Sequence, residues 1–273
     1  MNQRRQTPEL VALILLFLAI TAFTVAGFAR DWKPPVASKH GAGVDSLMGY
    51  LTVSTGAVLL IGTVALAVFL WLYGRGAHTG SPATSLRTER WWSLVPVIGM
   101  ALIAEVGVLV KGFPVWKQVY GGPAPDAFVV ELTAQQFEWY VRYPGPDGVL
   151  GRADPYLIEP AGNPLGLDAD DPAARDDLVF RNRMTVPVGR SVYVRLRSHD
   201  VLHSFSVPAL RVKQDVVPGL VGGIQFVPSS TGAYEIGCAE LCGMGHYSMR
   251  GWVVVLAQAE FDEWLTSQTE ALP

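Results

Sequence analysis

Three long apolar runs in the first 113 residues constrain this chain most. Leu10–Ala29 has only threonines as polar interruptions. Leu47–Tyr73 has only Ser, Thr and Gly as softer residues, and Trp91–Gly112 carries a single acid, Glu105. A helix that crosses a bilayer needs about 20 apolar residues. Three such runs in succession are hard to bury in a soluble core, so they read as transmembrane helices. Trp91, Trp92 and Trp116 stand near the ends of the third run, where interfacial anchors belong. The mean hydropathy of +0.28 is concentrated here, and the rest of the 273 residues reads as water-soluble.

The first run has a rival reading as a cleaved signal peptide. Arg4 and Arg5 precede it, and Gly27-Phe-Ala29 resembles a small-residue cleavage site. Its apolar length exceeds the ~7–15 residues usual for such a segment, which favours a retained helix over residues 1–29. Both readings leave residue 30 outside the cytoplasm. The spans at about 47–73 and 91–112 then form a hairpin within residues 30–113, and residues 114–273 lie outside. Arg4, Arg5, Arg75, Arg87 and Arg90 on the inner side, against Arg30, Lys33 and Lys39 on the outer, fit the positive-inside rule weakly. Glu105 inside a span should face protein or water rather than lipid. A carboxyl hydrogen-bonded at a helix interface and a functional acid are both open readings for it.

From Ala124 the pattern changes to short β-branched and aromatic stretches broken by Gly and Pro. Residues 127–132, 136–143, 178–186, 191–198 and 251–256 read as strands of a small sandwich or barrel. Gln258–Glu270 reads as a closing amphipathic helix with Phe261, Trp264 and Leu265 on one face. The loop 144–177 holds Asp168, Asp170, Asp171, Asp176 and Asp177 opposed by Arg175. It is either a solvated surface loop or an acidic docking patch for a basic partner. A net charge of −3 with no basic patch argues against a nucleic-acid binder.

The only two cysteines fall in Cys238-Ala-Glu-Leu-Cys242-Gly-Met-Gly-His246-Tyr-Ser-Met249, and His203 lies 35 residues before Cys238. Taken singly, the cysteines read as a disulfide, His246 as a surface histidine and Met249 as core. Together they form a set of soft and borderline ligands suited to copper. Zinc is the competing metal, but its structural sites pair histidines at short spacing and make no use of methionine. A mononuclear blue-copper site needs one thiolate. Two bridging thiolates suit two coppers that share an electron, an arrangement for electron relay.

These residues resemble, spacing for spacing, the dinuclear copper motif of subunit II of the haem–copper cytochrome c oxidases. The resemblance runs from about residue 38 to 265. It includes His40-Gly-Ala-Gly-Val-Asp45, Glu89-Arg-Trp-Trp92-Ser-Leu-Val-Pro96, Gln136–Tyr143, Ser198-His-Asp-Val-Leu-His203 and Leu210-Arg-Val-Lys213-Gln-Asp215-Val-Val-Pro-Gly219. It implies a membrane hairpin, here with an extra N-terminal helix, followed by an all-β cupredoxin-like domain. It implies that Cys238 and Cys242 bridge two coppers, that His203 and Met249 complete one, and that His246 and the Glu240 carbonyl complete the other. The Glu240 side chain would reach a magnesium or manganese ion shared with subunit I. Lys213 and Asp215 would face subunit I. Glu89 would lie near the mouth of a proton path, or else be an interfacial charge beside Arg87 and Arg90. The family usually has a tryptophan where this chain has Phe137, so Phe137 and Trp139 are both candidates to receive electrons, although both also fit the buried face of a strand.

The expected protein is therefore subunit II of a bacterial plasma-membrane terminal oxidase. Its partners would be subunit I, subunit III and a cytochrome c or similar donor. No C-x-x-C-H is present, so haem is not expected in this chain. The alternatives are the copper subunit of a nitric oxide reductase and a membrane-anchored copper carrier.

Overall fold

The computed structural model describes residues 6–30, 33–74 and 85–271. Arg4, Arg5 and Arg75, used above for orientation, lie outside the described residues. Helix α1 spans Gln6–Phe28, α2 Gly41–Gly74 and α3 Leu86–Gly107. A π turn over Val108–Gly112 follows α3, and α4 covers Phe113–Tyr120. Among the described residues, 41–72 and 86–120 are long and apolar enough to cross a membrane, whereas the apolar part of α1, Val11–Gly27, is shorter. Ser85 starts α3 by accepting a hydrogen bond from the Thr88 amide at 3.3 Å, which meets one of the donors a helix N-terminus leaves unpaired.

Helices α2 and α3 meet at Tyr50. Its hydroxyl donates to the Ile103 carbonyl. A side chain at Gly107 would collide with its ring, and the Lys111 ammonium lies 6.0 Å from the ring centroid. Ile103, Gly107 and Lys111 recur every four residues, so they define the face of α3 turned to α2.

The second compact unit combines residues 34–44 with 114 onward. Its ten strands are β1 Phe128–Gln135, β2 Glu138–Tyr143, β3 Leu178–Arg181, β4 Arg183–Pro187, β5 Val192–Ser198, β6 His203–Val207, β7 Val212–Val216, β8 Gly222–Phe226, β9 Gly232–Cys238 and β10 Arg250–Leu256. They form two five-stranded sheets, β3-β2-β1-β5-β8 and β4-β10-β9-β6-β7. The pairs β1–β5 and β10–β4 are parallel and the others antiparallel. Strand β5 shows the alternation that builds the core: Val192, Val194 and Leu196 are fully buried, and the residues between them are less so.

The run 178–186, expected as one strand, is two strands in different sheets. Asn182 divides them at φ 57°, a left-handed conformation that asparagine tolerates better than most residues. Strands β6 to β9 were not expected from the pattern. They are short and rich in Gly, Ser, His and Gln, so period-2 alternation is faint in them. The closing helix α6 covers Gln258–Glu270 as expected, with Phe261 buried. Phe261 meets Phe128 edge-on at 5.3 Å, and Trp264 meets Tyr143 at 5.6 Å.

The loop 144–177 is more ordered than a solvated loop needs to be. It contains a short helix, α5 (Pro172–Arg175), capped by Asp171. Arg152 pairs with Asp168 at 2.8 Å and with Asp171 at 3.8 Å. Asp177 is buried against Arg142, which also meets Glu131 at 3.3 Å. Arg175 is thus not the only base facing these acids: Arg152 and Arg142 pair with Asp168, Asp171 and Asp177.

A strap from residues 34–44 bonds to the segments that follow β6 and β8, one from each sheet. The Ala37 amide donates to the Ala209 carbonyl at 2.8 Å, Ser229 donates back to Ala37 at 2.8 Å, and Lys39 donates to Val227 at 3.0 Å. The Ser38 hydroxyl donates to Leu210 at 2.6 Å.

Candidate metal centre

The ligand residues come from two strands and one loop. His203 opens β6, Cys238 ends β9, and the loop that follows carries Glu240, Cys242, His246 and Met249 before β10 begins at Arg250. Phe205 of β6 stands opposite Cys238 of β9, so antiparallel pairing brings the distant histidine to the thiols.

The donor atoms converge. The two sulfurs lie 3.8 Å apart, well beyond the ~2.05 Å of a disulfide, and both thiols are free. His203 Nδ1 is 3.9 Å from Cys238 Sγ, and the Glu240 carbonyl oxygen is 3.1 Å from the same sulfur. His246 Nδ1 and Met249 Sδ lie 3.5 and 3.7 Å from Cys242 Sγ. The ligand atoms of His203, Cys238 and Cys242 all fall within 4.8 Å of one another. His203, Cys242 and Met249 are buried, while Cys238, Glu240 and His246 are half-buried. Two thiols, two imidazole nitrogens, a thioether and a carbonyl around one small volume fit copper by ligand softness.

Each histidine presents Nδ1. For His203 the reason is Asp200, whose Oδ1 lies 2.8 Å from Nε2. An ionised carboxylate only accepts, so Nε2 carries the proton and Nδ1 keeps its lone pair. Burial acts to raise the Asp200 carboxyl. Hydrogen bonds from His203 and from the amides of Gln136 and Val201 outweigh it and hold the group below the usual carboxylate range. Burial pushes the Cys242 thiol up to about 11, with the Cys238 sulfur adding to the rise. A bound cation would draw the Cys242 proton off at neutral pH.

The turn between β1 and β2 clamps the site. The Gln136 amide donates to Asp200 Oδ2 at 2.7 Å, and its side chain donates to the Cys242 carbonyl at 2.5 Å. Phe137 lies over the loop so closely that a Cβ on Gly245 would sit 2.5 Å from its ring. Trp139 is fully buried, its ring 6.2 Å from those of His203 and Phe205. With Val141 and Tyr143 it forms the buried strand face. Asp200 and Gln136 were not singled out by the sequence, although Asp200 stands three residues before a ligand histidine.

Lys213 donates to Asp215 at 2.9 Å and lies 3.9 Å from Glu240. One ammonium thus gathers two carboxylates beside the thiol loop. Glu89 is exposed in the first turn of α3. Glu105 is exposed further along the same helix.

An anchored β-sandwich that converges free thiols, imidazoles and a thioether defines a class of membrane-bound copper protein. Residues 129–257 match the family of the cytochrome c oxidase subunit II periplasmic domain. The chain is 39% identical over 261 residues to the alternative cytochrome c oxidase subunit 2 of Bradyrhizobium diazoefficiens, covering 94% of this chain and 91% of that protein. It is 28% identical over 263 residues to cytochrome c oxidase subunit 2 of Thermostichus vulcanus, covering 87% and 79%. The crystal structure of the periplasmic domain of subunit II of cytochrome oxidase (CoxB) of Bradyrhizobium japonicum is 27% identical. It covers 55% of this chain and 99% of that one, with a TM-score of 0.41. This chain belongs to the cytochrome c oxidase subunit II family. It is a membrane-anchored subunit of a haem–copper oxidoreductase, with its sandwich outside the membrane.

Proposed function

We propose that this chain takes electrons singly from a cytochrome c or comparable carrier, and that it hands them to the haem of subunit I in a bacterial plasma membrane. The observation that carries this reading is the convergence of four further donor groups on two unbridged thiols. Cys238 and Cys242, with His203, His246, Met249 and the Glu240 carbonyl, would hold two coppers, which would supply one-electron relay chemistry.

The chain's own residues supply position and insulation. Asp200 aims His203. Gln136 and Phe137 hold the loop closed, and Met249 seals the inner side. Leu241, Met244 and Tyr247 project outward from the loop at 81%, 94% and 82% exposure. They offer an apolar landing for the carrier beside half-buried Phe137. Trp139 is enclosed, so Phe137 rather than Trp139 is the residue a carrier would touch. Glu240 with Asp215 is the candidate holder of a magnesium or manganese ion at the subunit I contact, where Lys213 would also lie. Glu89 is the candidate for the proton-path mouth, and subunit III is the further expected partner.

The test is electron paramagnetic resonance of the full-length chain loaded with copper in detergent. Hyperfine structure from two equivalent copper nuclei per unpaired electron supports the relay. A single-copper signal, or loss of copper to a mild chelator, rejects it.

A further inference from the structure

The outer face of the first sheet carries charge that the copper centre does not use. Thr133 of β1 and Arg197 of β5 stand side by side in the parallel pair. Glu131, two residues before Thr133, meets Arg197 at 2.9 Å, Arg142 at 3.3 Å and Arg195 at 4.0 Å. Asp177 takes the other side of Arg142. Three guanidiniums thus face two carboxylates, which leaves a surplus of positive charge. Asp200, the next acid along the chain from Arg197, is tied to His203 and to the Gln136 amide instead.

A cavity of about 220 Å³ opens on this face. Thr133 and Arg197 form its floor, Leu165 of the loop 144–177 one wall and Leu220 of the turn after β7 another, and exposed His199 completes the lining. It is smaller than the ~300–1,000 Å³ pockets of drug-sized ligands, so it suits a small ion rather than a nucleotide or an extended cofactor. Two of its polar groups lack a partner among the described residues. Thr133 is only 2% exposed, yet its hydroxyl makes no hydrogen bond there. An acceptor would relieve the desolvation cost of so enclosed a hydroxyl. Arg197 commits its Nε to Glu131 at 2.9 Å, and both of its terminal NH2 groups remain for a ligand.

We propose that this cavity binds one small tetrahedral oxyanion of the inorganic phosphate class, held by the Arg197 guanidinium and the Thr133 hydroxyl. The planar guanidinium matches two oxygens of an oxyanion at once. The Thr133 hydroxyl then donates to a third oxygen. A carboxylate has only two oxygens, both taken by the guanidinium, and a halide offers no fork to match. Glu131 does not repel the anion, because its charge is answered by the three guanidiniums around it. The site is separate from the copper ligands, and the proposal stands whatever the electron donor is.

The test is equilibrium dialysis of the full-length, copper-loaded chain in detergent against radiolabelled inorganic phosphate, with ionic strength held constant by chloride. Wild type should bind phosphate saturably, with about one ion per chain. Thr133→Val keeps the shape of the side chain and removes the hydroxyl, so it should weaken binding by about tenfold or more, the range of one hydrogen bond to a charged group. Arg197→Gln should abolish binding. Acetate should compete poorly with phosphate. Uptake that does not saturate, displacement by acetate as readily as by phosphate itself, or wild-type binding by Thr133→Val overturns the proposal. If Arg197→Gln does not accumulate, Thr133→Val decides alone, with an unchanged copper spectrum showing that it is folded.

Discussion

His203 and Asp200 are joined by a 2.8 Å contact from Nε2 to Oδ1, and this contact decides which ring nitrogen meets the thiols. Replacing Asp200 with alanine frees the ring to turn and to change tautomer. Loss of the carboxylate that orients a ligand histidine costs about 10- to 100-fold in metal affinity. Competition for copper against a chelator of known affinity should show a loss of that size. Asp200→Asn should fall between the two, because an amide oxygen can still accept from Nε2.

Gly245 lies beneath Phe137 with no room for a methyl group. Gly245→Ala should destabilise the sandwich by about 1–3 kcal/mol through overpacking. Urea denaturation measures the loss. Gly245→Ala combined with Phe137→Leu should recover part of it, since the smaller side chain opens the space.

Arg142 is buried between Glu131 and Asp177. Arg142→Met leaves Asp177 enclosed without its cation, while Glu131 keeps Arg197 at 2.9 Å, and should cost about 3–5 kcal/mol. Copper loading at neutral pH should persist wherever the variant remains folded, because the cluster does not touch the ligand loop. A small loss in urea denaturation would show that the cluster is not the buried support described above.

The Cys242 thiol ionises at about 11 in the folded metal-free protein, raised from the ordinary 9.0. The thiol is protonated in both folded and unfolded states below pH 9, so stability is unaffected there. Between pH 9 and pH 11 the unfolded chain loses this proton first, and metal-free stability should fall. The copper-loaded protein should show no such decline, because its thiolates are already ionised. Thermal denaturation across this range, with and without metal, gives the comparison.

Met244 is the most exposed residue of the apolar group on the ligand loop. Met244→Asp should weaken the apparent affinity for the electron donor by about tenfold if it lies at the centre of the contact. The copper spectrum should stay unchanged. Stopped-flow oxidation of the reduced carrier by the intact oxidase measures the effect.

The ligands were legible in the sequence because five of the six sit in one short segment whose residue types have few other uses together. The helices were legible because a bilayer demands length and apolarity in one unbroken run. What holds the ligands in place was not. Asp200 and Gln136 act through contacts set by the β1–β2 turn, and neither residue type is unusual where it stands. Strand β6 escaped notice because His203-Ser-Phe-Ser-Val207 is short and half polar, though its register with β9 is what delivers the first histidine. The acids of the loop 144–177 gave no sign of which of them the folded chain would pair. Arg142 lies on β2, outside that stretch, and its pairing with Asp177 depends on long-range folding.

The strap at Ala37 and Ser38 gives the protein a biosynthetic order. The first piece of the sandwich leaves the ribosome ahead of α2, and the remaining pieces follow only after α3. Between them lies the whole hairpin, so the outer domain is an interrupted structure whose halves are separated by two membrane insertions. Its seam with Ala209, Leu210 and Ser229 can close only after both helices have been threaded and the second half has been exported. A chain in which only one of the two helices is inserted would leave the strap and its docking strands on opposite sides of the bilayer. The fold thereby carries its own check on the insertion of both helices.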